Sequence, residues 1–473
     1  MIPINKIKTI FRSSFQEFAN WQRFTKYTAE SNGFLLIRKF YLVRLQSKCV
    51  KFVFVTIEAL SLDLAYKIKE KRHEVKFYIQ SKDEKDIGDG FVDKTDQWED
   101  LIGWADVLVF DDLGFGKTAE KLRSEGKRVV GGSVYTDRLE NDREFGQKEL
   151  EASGVTVLSS WNFTNFDEAI EFVSKNPDRY VIKPSGAAQN EKELLFVGKE
   201  VDGNDIIQVL AHYKKNWSNK IRIFQLQKFE AGVEVGVGAF FNGKDFVMPI
   251  NINFEHKRLF PGEIGPSTGE MGTSMFWSQK NKLFELTLEK MKPKLVESGY
   301  VGYIDINCIA NNKGVYPLEF TSRFGYPTIS IQMEGVTSSW GEVLHKISGG
   351  EEVGLKTKKG FQVGVVVAVP PFPFNDDRTF RKYSEEATIL FKKDNREGIH
   401  LGEVKASNGD WHIAGKSGYT LVVTGSGMNM KDARGQAYNR VENVIIPNMF
   451  FRTDIGERWV IDSDMLLSWG YLY

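Results

Sequence analysis

The chain has 473 residues, 41% of them hydrophobic and 27% charged, which gives room for about three domains of ordinary globular composition. Lys plus Arg equal Asp plus Glu at 63 each, so overall charge makes no case for a nucleic-acid or membrane-surface partner. No apolar run reaches the ~18–20 residues that span a bilayer, and two cysteines, Cys49 and Cys308, fit a reducing compartment without a disulfide or metal–thiolate framework. A cytoplasmic location is expected.

Residues 1–50 differ from the rest. Nine Lys and Arg side chains face only Glu17 and Glu30, in a Ser-containing stretch that lacks a clear amphipathic period or cleavage signal. It is either a targeting segment or a nonessential extension. From Lys51 onward, short buried-type strands are expected at 51–55, 75–79, 107–110 and 128–130. They alternate with helices at 60–71 and 117–125, the pattern of a parallel, doubly wound sheet that binds ligands outside the strands' carboxyl ends. The turn from Asp111 to Thr118 contains Gly-Lys-Thr. However, the position where a phosphate-cradling loop needs its first glycine is Asp111, an anion. A strand-to-helix turn is the simpler reading, with an accessory role for its backbone amides as the alternative.

A helix is expected at 142–152, ending at Gly154. Another should precede the strand Arg179–Pro184. Strands follow at 221–227, 233–241 and 246–250, then one helix over 279–298. A hairpin spans 302–309 and 315–321. The last third reads as strands at 362–369, 387–391, 400–403 and 419–424, then a helix at 430–444. In the hairpin, alternation puts Asp305 and Asn307 on one face and Glu319 and Thr321 on one face of the return strand. Antiparallel pairing is expected to bring Asp305 near Glu319, and paired carboxylates of this kind suit a shared Mg²⁺. A solvated polar face is the alternative. The run Gly262–Gly272 holds too many glycines for a strand or helix. With Glu255-His256-Lys257-Arg258 just before it, the run offers backbone amides and cations to a carboxylate or phosphate, or forms a surface loop.

Three segments carry a resemblance. His256-Lys257-Arg258 followed by Gly265-Pro266-Ser267-Thr268-Gly269-Glu270-Met271-Gly272 resembles the His-Lys-Arg … Gly-Pro-Asn-Thr-Gly-Gly-Met-Gly segment of phosphoribosylamine–glycine ligases. Leu318–Pro327 is similar to their Glu-Phe-Asn-x-Arg-Phe-Gly-Asp-Pro. Ala433–Tyr438 with Phe451–Gly456 resembles their tail, which ends Tyr-Arg-x-Asp-Ile-Gly. The three lie in the right order within roughly residues 50–457.

The resemblance implies an α/β ATP-grasp fold. This would comprise an N-terminal doubly wound parallel-sheet domain (51–137), a two-lobed ATP-grasp domain (138–348) and a small β-rich C-terminal domain (349–473). It implies ATP and Mg²⁺ (or Mn²⁺) as cofactors and small-molecule carboxylate and amine substrates, in a monomer or homodimer with no nucleic-acid or membrane partner. Carried over by residue, Asp305, Glu319 and Thr321 become metal ligands. Lys183 and Arg143 contact nucleotide phosphates, Gln227 and Phe229 flank the adenine hinge, and Glu234 grips the ribose. Arg323, with Lys257 and Arg258, acts at the reacting centre. His256, Gly265, Ser267, Thr268, Gly269, Met271 and Gly272 form a substrate-binding loop.

The departures are equally specific. Thr321 replaces an asparagine, and Tyr326 and Thr328 replace acids. Pro184–Asn190 replaces the Gly-rich loop that covers ATP. Where the family has a glycine-rich phosphoribosylamine loop, this chain has Val55-Thr56-Ile57-Glu58-Ala59-Leu60-Ser61, in which Glu58 would repel phosphate unless a cation such as Lys117 compensates. The expected function is therefore an amide-forming, ATP-dependent carboxylate–amine ligase with a different amine. The alternatives are a true phosphoribosylamine–glycine ligase of purine biosynthesis and an inactive nucleotide-binding homologue.

Overall fold

The computed structural model describes residues 49–185 and 194–473. The basic leader up to Lys48 and the loop residues from Gly186 to Asn190 therefore lie outside the described residues. The N-terminal strands form a five-stranded parallel sheet. Its order is Asp93–Lys94, Glu74–Ile79, Lys51–Thr56, Val107–Phe110 and Val129–Val130. Phe52, Phe54 and Phe77 are fully buried in it, as strands covered on both faces require.

The Gly-Lys-Thr turn is a strand-to-helix turn opening the helix Gly116–Ser124. Its amides are already taken: Gly114 and Gly116 donate to the Asp137 carboxylate at 3.1 and 2.9 Å. The protein fills this anion site itself, which removes the accessory binding role.

An eight-stranded antiparallel sheet forms the frame of the molecule. Its order is Gly314–Thr321, Val301–Asn311, Val233–Asn242, Phe246–Glu255, Gly272–Ser278, Phe361–Ala368, Tyr419–Gly427 and Ile399–Leu401. Three of its strands, Phe361–Ala368, Ile399–Leu401 and Tyr419–Gly427, lie beyond residue 349, so the last third of the chain extends the same frame. A separate four-stranded sheet, in the order Ser160–Phe163, Phe224–Lys228, Tyr180–Pro184 and Phe196–Val197, carries the helices Phe166–Lys175 and Asn204–Trp217. This small lobe has its own core, built around Phe166, Val173, Ile182, Leu210 and Phe224.

Two local expectations are corrected. The single helix over 279–298 is instead Lys282–Leu286, a tight turn Leu288–Met291, and Lys292–Glu297. Thr287 leaves helical geometry at φ −126°, ψ −94°, and Pro293 lacks the N–H that a continuous helix needs. The glycine run is less irregular than expected: Arg258–Phe260 pairs with Ile264–Ser267 as a short hairpin, and Gly272 opens a frame strand. Among the described residues no helix is long and apolar enough to cross a membrane.

Candidate active site

The hairpin Val301–Asn311/Gly314–Thr321 is present, with Asp305 opposite Thr321 and Asn307 opposite Glu319, so that Asp305 and Glu319 are diagonal neighbours. A bulge at Leu318, next to Pro317, which has no N–H to give to the ladder, shifts the pairing by one residue; without it Asp305 would face Phe320.

Asp305 is 5% exposed and accepts from Asn253 Nδ2 at 2.7 Å and Tyr303 Oη at 2.9 Å. Burial, with Glu255 nearby, pushes its carboxyl up to about 7. Gly238, on the neighbouring strand, makes room for this group, since a Cβ there would collide with the Tyr303 hydroxyl and the Asp305 carboxylate. Gly236 does the same for Asn253.

Lys257 sits among three carboxylates. Its Nζ is 2.9 Å from Glu234, 3.2 Å from Glu319 and 3.3 Å from Glu255. Despite burial, these anions hold its ammonium well above the ordinary lysine range. Lys257 in turn leads Arg143 and Lys183 in holding Glu319 down at about 2, against burial. Asn307 Nδ2 bridges Glu255 at 2.9 Å and Glu234 at 3.2 Å. Lys183 is buried, and desolvation plus the Arg143 charge push its ammonium down to about 7. Arg143 spans the gap between lobe and frame, donating to Pro184 O at 2.9 Å while its other nitrogen lies 3.9 Å from Glu319. Arg323 pairs with Glu140 at 3.3 Å.

Two cavities meet at this cluster. The larger, about 440 Å³, lies between the small lobe and the frame and includes Lys183, Gln227, Phe229, Glu234, Arg258 and Arg458 in its walls. Its volume suits a nucleotide-sized ligand. The smaller, about 280 Å³, includes Asp305, Thr321, Arg323 and Tyr326. Arg143, Glu255, Lys257, Gly269 and Glu319 belong to both walls.

The expected loop residues divide between two places. Ser267, Thr268 and Gly269 line the larger cavity. His256, Gly265, Met271 and Gly272 stand behind the cavity walls and brace the loop. Met271 N donates to His256 O at 2.8 Å, Arg258 donates to Gly265 O at 3.0 Å, and Gly272 lies tight against the Gly364 carbonyl. The tail pattern explains itself here. Fully buried Arg452 reaches Arg258 O, Glu263 and Asp454, each within 2.8 Å, and Asp454 accepts from Gly262 N at 2.9 Å. At the hinge, the amides of Lys228 and Phe229 already donate to Ser159 O and Arg179 O, both at 2.9 Å, so those two are not open to a base.

The compensating cation near Glu58 is Arg323, not Lys117. Burial and Asp112 raise the Glu58 carboxyl and Arg323 opposes them, whereas Lys117 is exposed and lines neither cavity. The backbone turn in that segment survives without glycine because Ala59 takes the left-handed conformation, at φ 62°. Sequence reasoning left out Glu255, Asn307, Glu140 and Arg458. Asn307 was signalled by sharing a face with Asp305; Glu140 and Arg458 carry no local signal.

The oxygen donors fit a hard cation. Asp305 is a buried acid pushed up for want of a counter-charge, and the Oδ1 of Asn307 is buried without a partner. Among the described residues no three His, Cys, Asp or Glu side chains converge as a ready-made cage. A Mg²⁺ held by one or two carboxylates takes its other ligands from phosphate and water, and Asp305 with Glu319 suits that arrangement.

Comparison with known proteins bears on the fold and on kinship. Residues 141–329 match the family model for the phosphoribosylglycinamide synthetase ATP-grasp (A) domain. The chain carries an ATP-grasp domain. Over 353 residues it is 25% identical to a phosphoribosylamine–glycine ligase of Listeria monocytogenes serovar 1/2a, covering 72% of this chain and 80% of that one. It is 24% identical over 373 residues to the corresponding ligase of Streptococcus pneumoniae, covering 76% and 84%. The crystal structure of the Thermotoga maritima phosphoribosylamine–glycine ligase superposes with a TM-score of 0.64 at 20% identity, over 86% of this chain and all of that one. The Campylobacter jejuni biotin carboxylase shares the fold more distantly, with a TM-score of 0.60 at 12% identity, over 90% and 97%. The ATP-grasp fold and a distant kinship with phosphoribosylamine–glycine ligases over most of the chain are thus established.

Proposed function

We propose that this chain is an ATP-dependent carboxylate–amine ligase that forms an amide through an acyl phosphate, with an acceptor amine other than phosphoribosylamine. The observation that carries the reading is the shared wall: the nucleotide-sized cavity and the Arg323 cavity meet at Lys257 and Glu319. ATP placed in the first directs its γ-phosphoryl group at a carboxylate in the second. The carboxylate oxygen attacks the γ-phosphorus and ADP departs. The amine nitrogen then attacks the acyl carbon, the carbon–oxygen bond to phosphate breaks, and a proton is released. Lys183, Arg143 and Arg323 neutralise charge on the moving phosphoryl group and hold the reactants in line. A divalent cation held by Asp305 and Glu319, beside the Thr321 hydroxyl, would supply further neutralisation at the phosphate oxygens. No nucleophilic side chain is needed.

The different acceptor is supported by the glycine-free segment Val55–Ser61 and by Glu84 and Glu403, which join Glu58 around one cavity and outnumber the single opposing charge of Arg323, so that a phosphorylated amine would meet net repulsion there. The test is ADP release and amide formation by purified protein with ATP, Mg²⁺ and glycine, supplied with phosphoribosylamine or with a panel of other amines. Turnover is expected only with a non-phosphorylated amine, and Glu319→Ala should abolish it. Efficient turnover of phosphoribosylamine would establish the alternative substrate, and a fully active Glu319→Ala would overturn the site assignment.

A further inference from the structure

A third cavity, of about 230 Å³, opens at the carboxyl edge of the parallel sheet, and Tyr326 belongs both to its wall and to that of the Arg323 cavity. Its acids come from three distant parts of the chain: Glu58 after the first strand, Glu84 after the second, and Glu403 from the last third. Among the described residues no Lys, Arg or His lines it. Lys405 and Lys416, on the flanking segments, are turned away into pairs with Asp86 and Glu386, and with Asp83.

Glu403 is fixed in place. It accepts from the amides of Ser417 at 3.0 Å and Gly418 at 3.2 Å, and from the Ser417 hydroxyl. Burial nevertheless pushes its carboxyl up to about 8. Glu84 is pushed up to about 7 by burial and by Glu58. Three acids held together, with only Arg323 outside the wall opposing Glu58, are short of positive charge.

The second observation is independent of charge. Tyr419 is 8% exposed, lines this cavity, and its hydroxyl has no hydrogen-bond partner; Glu84 Oε2 is likewise buried and unpartnered. Unsatisfied buried polar atoms cost free energy unless something meets them. Tyr326 and Tyr419 pack with ring centroids 4.4 Å apart and form an aromatic wall beside these atoms. A cationic nitrogen with several N–H donors matches the acids, the open Glu84 oxygen and the Tyr419 hydroxyl together, whereas an anion could meet only the Tyr419 hydroxyl and would be repelled by the acids.

We propose that this cavity, bounded by Glu58, Glu84, Glu403, Tyr326 and Tyr419, binds a positively charged nitrogen on the acceptor substrate, so that the acceptor is a diamine-like molecule. One nitrogen is held here as a cation while the other reaches past Tyr326 toward the acyl phosphate. The proposal rests on the ligase reading above for the second half of that sentence; the cation pocket itself does not.

The experiment is calorimetric titration of the full chain with α,ω-diaminoalkanes of three to six carbons. The matching monoamines and ribose 5-phosphate serve as controls, and ATP affinity is measured on the same preparations. Saturable binding of the diamines is expected, and of the matching monoamines through the same single ammonium, with ribose 5-phosphate at least about tenfold weaker. Glu403→Gln and Glu84→Gln should each weaken diamine binding by about tenfold or more while ATP still binds. Tyr419→Phe removes one oxygen without touching the acids, and should weaken diamine binding by a smaller factor even if either Gln variant fails to fold. An ATP-binding protein that binds no diamine, or variants that bind it as well as the parent, would overturn the proposal. Diamine binding by a protein that binds no ATP would leave the pocket standing and remove the ligase reading instead.

Discussion

Lys183 shows how much a single residue's surroundings decide. Its ammonium is pushed down to about 7 by burial and by Arg143, so near neutral pH about half the molecules present an uncharged amine to the nucleotide cavity. A polyphosphate restores the missing attraction and draws the proton back. ATP binding is therefore expected to take up close to a fraction of a proton around pH 7–8, and to weaken as pH rises through that window. Titration calorimetry in buffers of different ionisation enthalpy measures the uptake. In Lys183→Met the uptake should vanish and ATP affinity should fall by about tenfold or more; an unchanged proton count would remove Lys183 from the phosphate site. The sequence marked Lys183, Glu319 and Asp305 through resemblance and alternation. It could not mark Lys257 as the hub of three carboxylates, because Glu234, Glu255 and Glu319 are brought together only by strand pairing across 85 residues of chain.

Among the elements, the segment from Glu255 to Gly272 shows what a motif is for. Four of its seven expected substrate-binding residues brace the loop, and His256 is the clearest case. Burial, then Arg458 and Arg452, push its imidazole down to about 3, and its Nδ1 has no partner. A base whose folded pKa lies below its unfolded value near 6.5 is stabilising when neutral. That contribution is complete above about pH 6.5 and is lost as pH falls toward 3. Urea midpoints at pH 8 and pH 5 are expected to show a loss on acidification that is smaller, by the order of a kcal/mol or more, in His256→Gln than in the parent. Equal losses would mean that His256 protonates freely in the fold. The hairpin bearing Asp305 and Glu319 was legible from alternation and its Asn-Asn-Lys-Gly turn. The bulge at Leu318 was not, since register depends on which amides the partner strand needs, and only Pro317 hinted at it.

At the scale of the whole molecule, the N-terminal sheet and the last third of the chain are locked together. Asp63 accepts from Leu401 N at 3.0 Å and lies 2.7 Å from His400 Nδ1, whose other nitrogen meets Thr424 Oγ1 at 2.9 Å, all of it buried. Gly88 N and Ala406 N add backbone bonds to Val404 O and Asp89 O at 2.8 and 2.7 Å. Asp63→Ala should therefore cost about 2–4 kcal/mol, because it strands buried donors. Residues 50–473, apart from the small lobe, should unfold in one transition, as denaturant curves followed by fluorescence and by circular dichroism will report; two separated transitions would argue against the shared frame. The alternating strands and helices of the N-terminal sheet were plain from hydrophobic runs alone. The continuity of the frame past residue 349 was hidden, as was the meeting of Glu58 with Glu403, because nothing local in a strand names its neighbour.

The small lobe stands apart from this frame, with its own sheet and its own core. The chain enters it near Ser160 and leaves it near Lys228, and Arg143 ties it back through Pro184. The protein is thus built like a jaw, with the small lobe set against the frame. The upper jaw carries Lys183 and the hinge, while Asp305, Glu319, Arg323 and the acidic cavity all stand on the fixed bed. Under the proposed function, opening the lobe to exchange nucleotide would leave the seats of the other two reactants undisturbed. On the same reading, a lineage could re-cut the bed for a new amine without relearning how to grip ATP.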